Sequence, residues 1–260
     1  MQHLKIYKDV DEVIESLAKV ICDSAEESIK NRGVFNFVLA GGGSPKKLYE
    51  LLASDAYKNK IDWRKTYFFF GDERFVPEND EERNSLMVKK ALFDPLKIQE
   101  SHIFNVDTTT TPSEAAMKYW EVIKSHFKDG PIQFDFILLG LGDNSHTASL
   151  FPQTSVLEET EATIKSVWVE EVDMYRITMT APLINQARQI AFLVFGAGKA
   201  EAVYHILEDQ SGSSAEYPAR LITKDPQKVT WFLNEAAASQ LKYNNLLGEN
   251  ILKIIFKERR

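Results

Sequence analysis

Short apolar runs without polar alternation recur at 34–39, 65–70, 134–141, 189–195 and 229–233, separated by stretches with helical periodicity. A strand exposed on one face alternates apolar with polar residues, whereas a strand covered on both faces has no reason to. The pattern predicts an α/β fold, Rossmann-like, with a mainly parallel sheet and helices on both faces. The clearest helix lies at 10–29, where Val10, Val13, Ile14, Leu17, Ala18, Ile21, Cys22, Ala25 and Ile29 form one apolar stripe before Arg32-Gly33 ends it. Further helices are expected at 84–93, 115–127, about 199–208 and 235–241, with a helical turn at 184–188. A threonine-rich loop at 107–113 and a serine-rich one at 209–216 are short enough to be connections inside one domain spanning 1–260. Within that range, a C-terminal extension at about 242–260 carries aliphatics that suit either a helix packed on the domain or a subunit contact, and the sequence leaves the oligomeric state open.

Composition narrows the class of function. With 38 acidic and 31 basic side chains in 260 residues, the net charge is −7, and no dense Lys/Arg block is present. That is a poor footprint for nucleic acid. No apolar run approaches the roughly 20 residues of a membrane-spanning helix, and the N-terminus shows no secretory core. A single cysteine, Cys22, excludes an internal disulfide framework and a cysteine-built zinc site. The expectation is a cytoplasmic soluble protein, with no membrane or nucleic-acid partner, acting on a small molecule.

Ligands of an open parallel sheet bind beyond the carboxyl ends of its strands, so the residues after each run are the candidates. Ala40-Gly41-Gly42-Gly43-Ser44-Pro45 leads into a helix expected to start near Pro45. It reads equally as a tight turn or as an anion cradle of backbone amides with the Ser44 hydroxyl. It is neither a P-loop nor a dinucleotide fingerprint. Gly71-Asp72-Glu73-Arg74-Phe75-Val76-Pro77 puts three charges after an apolar run. Arg74 can offer its fork to a phosphate with Asp72 and Glu73 orienting it, or the three can form a surface salt-bridge network. Gly140-Leu141-Gly142-Asp143-Asn144-Ser145-His146 places a histidine in a glycine-containing loop, where it can act as a general base. His3, His102, His126 and His205 lack that setting. Arg176 and Lys199, each before a helical stretch, are further cations suited to a phosphate pocket.

In this order, Ala40-Gly-Gly-Gly-Ser-Pro45, Gly71-Asp-Glu-Arg-Phe-Val-Pro77, His146-Thr-Ala-Ser-Leu-Phe-Pro152, Arg176-Ile-Thr-Met-Thr180 and Gly198-Lys199 resemble the soluble α/β 6-phosphogluconolactonases, which are related in fold to glucosamine-6-phosphate deaminases. The resemblance runs from about residue 4 to 241. It implies hydrolysis of 6-phosphoglucono-δ-lactone to 6-phosphogluconate in the oxidative pentose phosphate pathway, with no metal and no organic cofactor. His146 would activate water. Gly42, Gly43, Ser44, Asp72, Arg74, Asn144, Arg176 and Lys199 would contact the substrate or support those that do. Asn144-Ser145 stands where the family usually has Asp-Gly, which removes a carboxylate beside the imidazole and strains the turn if position 145 needs a positive φ. Asn234 replaces a common aspartate and reads as structural, and Ala40 and Gly43 replace usual serines. Two rivals stay open: a glucosamine-6-phosphate deaminase using Asp72 to take a proton from carbon, and a sugar-phosphate-binding protein without turnover.

Overall fold

The computed structural model describes residues 3–128, 130–209, 211–222 and 227–242. In chain order its strands are β1 (His3–Tyr7), β2 (Phe35–Leu39), β3 (Thr66–Phe70), β4 (Asp72–Arg74), β5 (Phe136–Leu139), β6 (Ile164–Val169), β7 (Met174–Met179), β8 (Gln189–Val194) and β9 (Val229–Asn234). The α-helices are α1 (Val10–Arg32), α2 (Gly43–Leu52), α3 (Asn84–Val88), α4 (Asp94–Leu96), α5 (Pro112–Phe127), α6 (Ala181–Asn185) and α7 (Ala200–Leu207). The strands form a six-stranded sheet in the order β1-β9-β8-β5-β2-β3, every pairing parallel, and a separate antiparallel sheet β4-β7-β6. No described helix is long and apolar enough to cross a membrane.

Alternate residues of the central strands feed two cores. Phe35, Phe37, Phe68, Phe70 and Leu138 pack with the inner face of α1 and with α2 and α3. Val38, Phe69, Ile137, Phe192 and Trp231 pack with α5, α6, α7 and the small sheet. This two-sided burial is why the runs show no polar alternation. At the ends of α1, Asp9 accepts from the Glu12 amide, and Gly33, at φ 82°, returns its N–H to the Ile29 carbonyl.

Several boundaries depart from the sequence reading. α5 begins at Pro112 because Thr111 and Glu114 form a reciprocal capping box. The helix expected at 84–93 divides: after α3, residues 89–93 adopt a wider π-type turn that runs into α4. Pro95 has no N–H to return to the preceding turn, so a regular register cannot continue through it. The turn expected at 184–188 overlaps only the end of α6, which starts at Ala181 with Pro182 in its first turn and stops at Asn185. No helix forms at 235–241, where the chain turns irregularly. Asn234 Oδ1 takes the Ala237 amide at 3.0 Å and the Gly196 amide at 3.0 Å, and so short a segment gains too few helical bonds to offset nucleation. The extension at 242–260 lies, apart from Lys242, outside the described residues. Strands β1, β4, β6 and β7 had no counterpart in the sequence reading.

Glu73 is fully buried beside Arg83, 3.8 Å away. Its carboxylate accepts the backbone N–H groups of Arg74 at 2.8 Å, Asn84 at 2.8 Å and Ser85 at 2.9 Å, which fastens β4 to α3. Glu73→Ala removes the acceptor of three backbone donors and the countercharge beside buried Arg83. It is expected to cost about 3–5 kcal/mol, read as a lowered urea midpoint.

Candidate active site

β2 and β5 are neighbours in the sheet, but from β2 the chain moves outward to β3, and from β5 it moves the other way to β8 and β9. Their following loops diverge, and the gap at the carboxyl ends holds a cleft of about 350 Å³. Gly42, Gly43, Ser44, Asp72, Arg74, His146, Arg176 and Lys199 all line it. Asn144 sits behind His146 rather than on the wall.

At the β2 exit the Tyr49 hydroxyl takes the Ala40 N–H at 3.0 Å and donates to the Ala40 carbonyl at 2.8 Å, closing both backbone groups as the strand leaves the ladder. Gly42, at φ 95°, then turns the chain into α2. The helix starts at Gly43, before Pro45, and no side chain caps it, so its first-turn amides open toward the cleft. Gly41 is held to glycine by contact, since a Cβ there would lie 1.7 Å from Asn84 Oδ1.

The cationic wall is a strand pair, where the sequence suggested a loop. Arg74 on β4 and Arg176 on β7 are directly paired in register. The buried Nε of each has no hydrogen-bond partner, while Arg74 Nη1 donates to the Glu82 carbonyl at 2.5 Å. Two adjacent guanidiniums with unpaired donors match a tetrahedral dianion. Burial lowers the Arg176 pKa, with Asp72 opposing and Arg74 adding to the shift. Glu73 does not orient the Arg74 guanidinium as expected: it points away into the core, toward Arg83 and α3. Asp72 faces the cleft, and its Oδ2 accepts from Ser149 at 2.6 Å.

His146 is half-buried, with its ring stacked on Phe151 at 3.9 Å and 15°. Its edge lies against Gly142, where a Cβ would come within 2.1 Å of Nδ1. Ser145 has φ 66°, so position 145 does adopt the left-handed backbone that glycine favours. Asn144 Oδ1 accepts the His146 backbone N–H at 3.2 Å, which identifies that atom as the amide oxygen. The same oxygen lies 2.6 Å from His146 Nδ1. Nδ1 must therefore carry the proton, leaving the Nε2 lone pair free. Burial pushes the imidazole pKa down to about 4. Asp72 opposes this, Lys199 and Arg176 reinforce it, and Asp143 opposes it weakly.

Sequence reasoning missed Phe151 as the ring's platform, Asn84 as the wall behind Gly41, and Glu171, which lines the cleft from the turn between β6 and β7. The hairpin was legible as Val167 and Val169 facing in with Trp168 facing out, followed by an acidic turn.

The family model described as glucosamine-6-phosphate isomerases/6-phosphogluconolactonase matches residues 8–231. The chain belongs to that family. It is 35% identical to a 6-phosphogluconolactonase of Nostoc sp., covering 92% of this chain and 98% of that one. It is 36% identical to the enzyme of the same name from Synechocystis sp., over 88% of this chain and 94% of that one. Among solved structures, the 6-phosphogluconolactonase of Trypanosoma brucei superposes with a TM-score of 0.80 at 27% identity, covering 93% of this chain and 99% of that one.

In the folded family member, NMR is expected to show His146 titrating with a midpoint near 4 rather than the ordinary 6.5. Between these values the unfolded chain binds a proton that the folded chain refuses, so this group's contribution to stability is complete above 6.5 and lost as pH falls toward 4. A His146 midpoint near 6.5 would show that the ring is not desolvated.

Proposed function

We propose that the chain is a 6-phosphogluconolactonase, hydrolysing 6-phosphoglucono-δ-lactone to 6-phosphogluconate in the oxidative pentose phosphate pathway. The observation that carries this reading is a neutral imidazole with its Nε2 free, set in one cleft with Arg74, Arg176 and Lys199, in a member of this family. The reaction takes place within one α/β domain, and the proposed compartment is the cytoplasm.

The substrate's phosphate binds Arg74, Arg176 and Lys199, assisted by the open amides of Gly43 and Ser44. That distant anchor orients the lactone carbonyl. His146 Nε2 takes a proton from water as the water oxygen bonds to C1. The carbonyl π pair moves onto oxygen, giving a tetrahedral oxyanion. As the oxyanion collapses, the C1–ring oxygen bond breaks and the imidazolium returns its proton to the departing ring oxygen, which becomes a hydroxyl. The product carboxylic acid then ionises to solvent. An imidazole of depressed basicity is a modest base, and a δ-lactone is an activated ester that requires no stronger one. Asp72, held by Ser149, stands in the cleft as an acceptor for sugar hydroxyls.

The deciding measurement is acid release from freshly generated lactone, with and without protein, against the spontaneous background. Release of ammonia from glucosamine 6-phosphate, without lactone hydrolysis, would transfer the site to the deaminase branch. His146→Ala is expected to lower kcat by roughly 10²- to 10⁴-fold with little change in KM, the range for loss of a general base. Retention of near-full activity overturns the assignment. Arg74→Ala and Lys199→Ala should instead act mainly on KM and weaken inhibition by sugar phosphates; an unaltered KM in both removes the phosphate pocket.

A further inference from the structure

Glu171 is exposed on the turn joining β6 to β7, and no step above uses it. Its Oε2 accepts from Asn144 Nδ2 at 2.6 Å, and Asn144 Oδ1 in turn faces His146 Nδ1 at 2.6 Å. A carboxylate, an amide and an imidazole thus form one line from solvent to the ring. We propose that Glu171 is a positioning residue that selects the tautomer of His146 by holding the Asn144 amide in a single orientation. The inference rests on reading His146 as the base.

A primary amide is nearly symmetric in shape. Rotation by a half-turn exchanges Oδ1 and Nδ2 with almost no change in shape, so only the neighbours choose between the two states. In the observed state the oxygen faces the imidazole, Nδ1 carries the proton and Nε2 keeps its lone pair. In the rotated state Nδ2 would donate to Nδ1. The ring proton would then move to Nε2, where it blocks acceptance of a proton from water. The His146 backbone N–H favours the observed state through a contact of 3.2 Å to Oδ1. Glu171 discriminates more strongly, because an ionised carboxylate only accepts. Rotation would replace a charge-assisted N–H···O⁻ bond with two oxygens in contact.

This role differs from that of a carboxylate bonded directly to the imidazole. Glu171 lies in solvent, where its charge is screened, and its effect reaches the ring as a constraint on the amide. A glutamine at 171 has nearly the same shape but can offer either an oxygen or an NH₂, so it accommodates both states of Asn144.

The test compares wild type, Glu171→Gln and His146→Ala in the lactone assay, together with ¹⁵N NMR of the His146 ring. Glu171→Gln is expected to lower kcat by roughly two- to tenfold with KM little changed, since an amide discriminated only by the weaker His146 backbone contact divides between its orientations. The ring should change from a single pyrrole-like Nδ1 to a mixture of tautomers. Glu171→Asp is expected to restore part of the loss, because it restores an obligate acceptor. In an Asn144→Asp background the loss caused by Glu171→Gln should shrink, the aspartate having no NH₂ to misplace. An unchanged tautomer in Glu171→Gln overturns the proposal, whatever happens to kcat. A shifted tautomer in Glu171→Gln with full activity in His146→Ala supports the positioning role while overturning His146 as the base, so the two readings fail separately. Because Glu171 is exposed, an unchanged urea midpoint is expected and separates these effects from loss of fold.

Discussion

The cleft's cationic wall depends on one buried carboxylate. Glu73 lies on the same short strand as Arg74 but faces the opposite way, and it gathers the amides that would otherwise be stranded where β4 meets α3. A lone carboxylate in such a place would be costly; three amides and the neighbouring Arg83 make it an anchor. With β4 fixed, Arg74 can be paired against Arg176 despite the repulsion of two guanidiniums. Their buried Nε donors, without a partner among the described residues, are the counterpart of Glu73, whose carboxylate the protein satisfies.

The same division runs through the rest of the site. Tyr49 closes the backbone of Ala40, and Tyr119 does the same for Phe70, accepting its amide at 2.7 Å, so both strand exits are satisfied internally. Three residues beyond Ala40, the uncapped start of α2 is not. The imidazole in the same cleft stays neutral because burial outweighs the nearby carboxylates. Chemistry that needs an unprotonated ring near neutral pH is served by desolvation, without a strong ion pair to the histidine.

Much of this architecture could be read from local pattern. The runs covered on both faces gave the central strands, and the stripe from Val10 to Ile29 gave the first helix. Gly33 and the Gly42 turn revealed themselves through their conformational needs. Local pattern failed where a partner came from elsewhere in the chain. The residues 72–74 look like a charged loop until β7 lies beside them. Glu171 is ordinary in sequence, and its hydrogen bond to Asn144 spans a separation of 27 residues. The alanine-rich segment after Asn234 has helical composition, but it is too short to offset helix nucleation, and Asn234 Oδ1 also holds the Gly196 amide from a distant part of the chain. The identity of position 145 was visible as a departure from the family pattern, whereas its φ of 66° needed coordinates.

β1 is paired along its whole length with β9 and, among the described residues, with no other strand. The two lie more than two hundred residues apart, His3 opposite Thr230 and Tyr7 opposite Asn234. During synthesis on a ribosome the earliest strand must wait, its ladder groups turned to water, until nearly all of the described sheet has emerged. β8 can join β5 beforehand, but that edge closes last. Sequence-distant closure of this kind slows folding and leaves an unpaired edge open to neighbouring nascent chains. The short, partly polar His3–Tyr7 segment is a modest template for such mispairing.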